Sequence, residues 1–170
     1  MTPSSNDLEM LLRLGGATLA GSAIGINREI THKPAGLRTH ALVALGAAVM
    51  TLFSVNVALA SGNHDQGAVL RTIQGIITGI GFIGGGVVLR NPREQTVRGL
   101  TTAASIWIVA ALGMACGMGE WKLVLLATVL ALCVLIGGRG LEERLHRLRR
   151  HSHPPAQRDA HDREADMNED

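Results

Sequence analysis

The chain has little cysteine and, over one long stretch, no charge at all. Its two cysteines, Cys116 and Cys133, both sit in apolar runs. That excludes a disulfide framework and leaves buried packing as their role. No Lys or Arg precedes Arg13, while Asp7 and Glu9 are already present. A secretory leader needs a basic start, so the first apolar segment is read as a retained helix. Zinc spacing, a phosphate-binding loop ahead of a helix, and any Ser/His/Asp or Cys/His arrangement are missing. These absences argue against an enzyme. No cofactor, resident metal or nucleic-acid partner is expected.

What the chain does have is apolar length. Of its 170 residues, 46% are hydrophobic, although the last thirty are strongly polar. The apolar content therefore concentrates upstream, in five spans: roughly Leu8–Ile26, Ala41–Ala60, Thr72–Leu89, Leu100–Met118 and Trp121–Gly137. The third has no charge and carries Gly75, Gly79, Gly81, Gly84, Gly85 and Gly86. Each interior glycine costs a helix in water about 1 kcal/mol against alanine. In lipid the backbone must bond to itself, so the helix forms anyway, and its bare surface admits close neighbours. This helix is expected at the centre of the bundle, intolerant of bulk at Gly79 and Gly81.

The charges sort by side. Arg28, Lys33 and Arg38 lie between spans one and two; Arg90, Arg93 and Arg98 lie between spans three and four. Arg139, Arg144, Arg147, Arg149, Arg150, Arg158 and Arg163 follow span five. Five crossings put all of these on one side, leaving Arg71 and Lys122 opposite and Arg13 inside span one. The excess of cations marks the cytoplasmic side. The expected fold is an all-α membrane protein: a bundle of five transmembrane helices, N-terminus outside, C-terminus cytoplasmic. Residues 1–138 would form the membrane domain. Residues 139–170 would be a tail, basic and amphipathic around Leu141, Leu145 and Leu148, then disordered and acidic after Pro154-Pro155.

Small residues recur one turn apart at Gly21 and Gly25, Gly75 and Gly79, Gly81 and Gly85, and Gly113 and Gly117, with Ala44 and Ala48 in span two. That spacing favours tight helix contact. Span five is bulky instead, with Leu123, Leu125, Leu126, Val129 and Leu130, and should face lipid. Trp121 suits the outer interface. Gly79-Ile80-Gly81-Phe82-Ile83-Gly84 matches a dinucleotide-binding pattern, but no strand precedes it and Ala104 stands where an acid is needed. Three successive glycines, Gly84 to Gly86, can also break a helix beside a substrate site, or simply pack.

Two polar entrances share the inner level. Asn27-Arg28-Glu29 ends span one, and Pro34-Ala35-Gly36-Leu37-Arg38-Thr39-His40 leads into span two. Arg98-Gly99-Leu100-Thr101-Thr102 leads into span four, with Glu94 nearby. Thr39 is placed to cap span two, and Arg38 to pair with Glu29. Arg28, Glu29, Arg38, Thr39, His40, Arg98, Thr101 and Thr102 thus form a candidate cluster at the inner mouth. An ordinary interfacial loop with snorkelling cations is the plainer reading. On the outer side, Asn56, Arg71, Gln74, His64 and Asp65 supply one carboxylate, far short of a metal cage. His146, His151, His153 and His161 belong in or beside the tail and read as solvated.

PAGLRTHALVALGAAV (34–49), TGIGFIGGGVVL (78–89) and GLTTAASIWIVAALGMACG (99–117) together resemble the signature blocks of the MgtC/SapB family of bacterial membrane proteins. The resemblance covers about residues 8 to 137. It implies a five-helix inner-membrane protein linked to growth at low magnesium and, in pathogens, to survival inside host cells. It also implies contact with another membrane protein, with the membrane ATP synthase as a candidate partner. Asn27 stands where many members have Glu, which weakens a cation-binding reading. Longer members carry a folded cytoplasmic domain after span five, and here only the tail follows. Small-residue faces also allow a homo-oligomer. The alternative function is a small transporter or channel for an ion, but no span holds a carboxylate at mid-depth.

Overall fold

A computed structural model of the chain describes residues 5–60, 66–91 and 96–151, with side chains for 7–60, 67–88 and 98–138. Among the described residues, five helices follow one another: α1 (Ser5–Ile30), α2 (Leu37–Ala60), α3 (Gln66–Val87), α4 (Leu100–Met118) and α5 (Trp121–His151). A short antiparallel ribbon, β1 (Leu89–Asn91) with β2 (Thr96–Arg98), separates α3 from α4 and pairs Arg90 with Val97. This ribbon was not expected; three residues on each side are too few to show a strand pattern. The chain divides into two compact units, residues 1–132 and 133–170. Helices α1 to α4 and the start of α5 belong to the first.

Among the described residues, four helical stretches are long and apolar enough to cross a bilayer: Leu37–Ala60, Gly67–Val87, Leu100–Met118 and Trp121–Gly138. Helix α1, at 26 residues, also has the length. Its charges gather near its ends, with Asp7, Glu9 and Arg13 at one and Arg28 and Glu29 at the other. The fourth span begins and ends where the sequence put it, at Leu100 and Met118. The first two helices each reach about a turn further than the apolar runs, because polar residues can extend a helix beyond the part that lipid requires.

The centre of the fold is α2, held between α1 and α4. Ala44 and Ala48 of α2 are buried. A Cβ placed on Gly21 would lie 2.6 Å from the His40 carbonyl oxygen and 2.8 Å from the Ala44 methyl; one on Gly25 would lie 2.7 Å from the Leu37 Cα. From the other side, a Cβ on Gly113 would strike the Ala44 carbonyl, and one on Gly117 would lie 2.7 Å from the Ala48 carbonyl. The glycine pair of α4 thus closes on the alanine pair of α2, and that of α1 on the turns from Leu37 to Ala44. Backbone lies on backbone, which only residues without a side chain allow. Ile24, Ile106, Val109, Leu112 and Cys116 fill the space around these contacts.

Helix α3 is not central, and that expectation is corrected. Only 11% of its span is buried, against 56% for α4 and 39% for α2. It packs through Ile76, Ile80 and Val87 on Ile106, Ala110 and Met114 of α4. At 100° per residue, Gly75, Gly79, Gly81, Gly85 and Gly86 are spread over the flanks and far side of the helix. A Cβ on any of these five meets nothing within 4 Å; on Gly84 it makes ordinary contact with Ala103 at 3.6 Å. The count of glycines marked the helix as unusual, but glycine periodicity cannot tell a filled face from an open one. The triple glycine does not break α3, which runs through to Val87.

Helix α5 presents Leu123, Leu125, Leu126, Val129 and Leu130 outward, as expected, and only 6% of its span is buried. Trp121 at its start lies against Gly16 of α1. The turn before it uses Gly119 at φ 83°, whose N–H bonds to the Cys116 carbonyl while Glu120 N–H reaches Ala115. This left-handed C-terminal turn needs glycine and satisfies two orphan carbonyls. Arg13 takes a third, donating to the Gly117 carbonyl at 2.8 Å while pairing with Glu9. The basic amphipathic segment, the four tail histidines, His64, Asp65 and Glu94 lie outside the residues whose side chains are described.

Gly113→Leu should abolish the folded monomer in a detergent thermal-unfolding assay, whereas Gly79→Leu should melt within about 1 kcal/mol of the parent, since it enters open space. Equal losses would show that α3's outer face is packed within the chain after all.

Candidate functional site

The inner-mouth cluster divides into a buried core and an exposed rim. Arg28 is 3% exposed, His40 0%, and Thr102 2%. Glu29, Arg38, Thr39, Arg98 and Thr101 are exposed. The core is one hydrogen-bonded chain across three helices. The Arg28 guanidinium, at the end of α1, donates to Thr102 Oγ1 on α4 at 2.6 Å. Ser105, one turn on and 2% exposed, lies 2.8 Å from the Thr102 carbonyl through its hydroxyl and 3.0 Å from His40 Nε2. His40 Nδ1 lies 2.8 Å from the carbonyl of Gly36, the residue just ahead of its own helix. A carbonyl only accepts, so Nδ1 carries a proton.

The hairpin between α1 and α2 sets these positions. Glu29 Oε2 accepts the Leu37 N–H at 3.1 Å and so caps α2. Gly36 lies directly beneath that carboxylate; any Cβ there would collide with it. The chain folds back through bonds from His32 N–H to the Glu29 carbonyl and from Lys33 N–H to the Arg28 carbonyl. Two local expectations fail here. Thr39 does not cap α2, because the helix starts two residues earlier, at Leu37. Arg38 does not hold Glu29, whose carboxylate is already engaged by the backbone.

Sequence reasoning missed Ser105 and the clamp made by Arg13. Ser105 was legible in part: it follows Thr102 by three residues, so both share one face of α4. Its partner on α2 was not legible. Ser105 and His40 stand at the distance of a nucleophile and its base, yet both are sealed from any substrate. The arrangement fastens helices together.

At the opposite pole, Asp7, Glu9, Arg13 and Asn56, with Met10, Leu52, Val55 and Leu59, line a cleft of about 170 Å³. Arg71 and Gln74 are exposed on the first half of α3. Among the described residues, no group of three His, Cys, Asp or Glu could hold a metal.

Replacing Arg28 by Met should destabilise the fold by about 2 kcal/mol or more, because Thr102 loses a buried charged partner. Arg38→Ala should leave the melting curve unchanged. The same detergent assay reads both.

Comparison with known proteins now has a geometry to rest on. The MgtC family profile matches residues 14–144. The protein SrpB of Synechococcus elongatus is 40% identical over 146 residues, covering 82% of this chain and 80% of its own. The protein MgtC of Salmonella typhimurium is 41% identical over 138 residues, covering 81% of this chain and 56% of its own. The protein SapB of Bacillus subtilis is 42% identical over 118 residues, covering 68% of this chain and 50% of its own. The chain thus spans about half the length of the Salmonella and Bacillus relatives. No solved structure matches significantly. The profile takes in the glycine pairs of α1 and α4, the alanine pair between them and the whole buried chain from Arg28 to Ser105, and the chain is therefore a membrane protein of the MgtC family.

Proposed function

We propose that the chain is a non-enzymatic protein of the bacterial inner membrane that adapts the cell to low magnesium, envelope stress or intracellular stress by contacting other membrane proteins. In this reading its N-terminus lies outside and its C-terminus in the cytoplasm, as the distribution of cations favours.

One observation carries the proposal. Two helices of this chain turn a broad face away from the bundle, and those faces have opposite chemistry. That of α5 is branched and bulky, suited to lipid tails. That of α3 is bare backbone at Gly75, Gly79, Gly81, Gly85 and Gly86, with Phe82 86% exposed among them. Lipid tails pack poorly against such a surface, while a transmembrane helix with small residues of its own fits it. The proposed occupant is a helix of another membrane protein. The ATP synthase implied by the resemblance is the first to test, with a second copy of this chain as the competing outcome. The rim of Arg38, Thr39, Arg98 and Thr101 would then be the coupling surface at the inner end. Transport fits less well: α2, α3 and α4 contain no Asp or Glu along their length.

A photo-crosslinker at Phe82 should capture one defined membrane protein in native membranes, while one at Leu125 should capture lipid. Identical capture from both positions, or saturable ion flux into liposomes holding the purified chain, would overturn the partner reading. Arg38→Ala should keep normal protein levels yet lose rescue of growth in low magnesium. Full rescue would remove Arg38 from the coupling surface.

A further inference from the structure

The buried chain from Arg28 to His40 has a property that holds whatever partner the protein has. Ser105 has one hydroxyl proton and two acceptors within reach, the Thr102 carbonyl at 2.8 Å and His40 Nε2 at 3.0 Å. With a neutral ring, the hydroxyl turns to Nε2, and the Thr102 carbonyl keeps its ordinary partner within α4. If the ring gains a proton, Nε2–H donates to Ser105 Oγ and the hydroxyl turns to the Thr102 carbonyl. Nδ1–H stays on the Gly36 carbonyl in both states. The network therefore accepts a proton by turning one hydroxyl, with every hydrogen bond kept and no heavy atom moved.

What changes is charge. The added charge sits in a fully buried ring, where burial itself opposes it, and it also feels the Arg28 guanidinium, itself 3% exposed and bound to the neighbouring Thr102. Two buried like charges repel strongly, since little water screens them. The other ionisable groups near His40 offset this little. Glu29, on α1, keeps its charge while accepting the Leu37 N–H, but it is exposed and water screens it. His32, Lys33 and Arg38, from the hairpin and the first turn of α2, and Arg98, ahead of α4, are exposed, and none of them supplies negative charge. Helix α4 itself faces the ring with hydroxyls, Thr102 and Ser105. Helix α1 faces it with Gly21 and Gly25, which set the backbone close but bring no charge. One contact between α1 and α4 that this charge opposes is Arg28 on Thr102, in the last turn of α1.

We propose that His40, Ser105, Thr102 and Arg28 form a proton-responsive latch, which releases the inner end of α1 from α4 when the compartment it faces becomes acidic.

Exposed sites on the two parted elements allow a direct measurement. Ile30→Cys and Leu100→Cys, each more than half exposed, carry spin labels in a Cys133→Ser background. The label distance should lengthen as pH falls from about 7.5 to about 4.5, through and below the ordinary histidine range, and should stay fixed in His40→Gln. The parent's melting midpoint should fall over the same range by about 4 °C more than that of His40→Gln. If His40→Gln does not fold, Arg28→Gln serves instead: it keeps the ring, removes the repelling charge, and should hold the label distance fixed while leaving the part of the melting response that comes from burying a charged ring. An unchanged distance together with parallel melting curves would overturn the latch. Neither measurement involves a partner protein, so the partner reading stands or falls separately.

Discussion

Everything in the first unit depends on the backbone of α2 being approached from two sides at once. Ala44 has Gly21 of α1 against its methyl and Gly113 of α4 against its carbonyl. No hydrophobic drive pulls helices together inside lipid, because the tails are as apolar as the side chains. Close packing must do that work, and it grows as the axes approach. One methylene at any of these glycines would hold two helices apart along their whole length. Gly21, Gly25, Gly113 and Gly117 are therefore structural in a strict sense, while most of the glycines in α3 are not.

The inner polar chain is a consequence of that approach. Because Gly21 and Gly25 let α1 lie on the first turns of α2, Arg28 reaches Thr102 and His40 reaches Ser105. In hydrocarbon, unsatisfied polar groups are costly, so a satisfied chain at the end of the bundle fixes helix register as well as adding affinity. Glu29 contributes differently. It caps a neighbouring helix from outside, and it can do so only because Gly36 has no side chain under the carboxylate. At the far pole Arg13 performs the equivalent task on the C-terminal carbonyls of α4. Both ends of the bundle are thus closed by charged side chains that satisfy backbone.

Much of this was legible in the residues. The five helices, the bounds of α4, the lipid-facing face of α5 and the meeting of small-residue pairs at Gly21, Gly25, Ala44, Ala48, Gly113 and Gly117 all follow from spacing and solvent. The role of α3 did not. A glycine is equally visible in sequence whether its space is filled by a neighbour or left open, and only the three-dimensional arrangement of α4 decides. The site was half legible for a related reason. Residue type and depth gathered the eight members of the cluster, but burial separated Arg28, His40 and Thr102 from the rim, and burial depends on which helix lies across them. Ser105 escaped notice because a serine in an apolar span is unremarkable until a histidine on another helix lies beside it.

The position of α2 has a bearing on biogenesis. Its two flanking helices are far apart in the chain: α1 immediately precedes it, while Gly113 emerges roughly seventy residues after Ala44. During synthesis at the ribosome the α1–α2 hairpin can close early, yet the other flank of α2 must wait in the bilayer, unclad, until α4 is inserted. A nascent chain halted before α4 would present a sticky alanine seam to any passing helix.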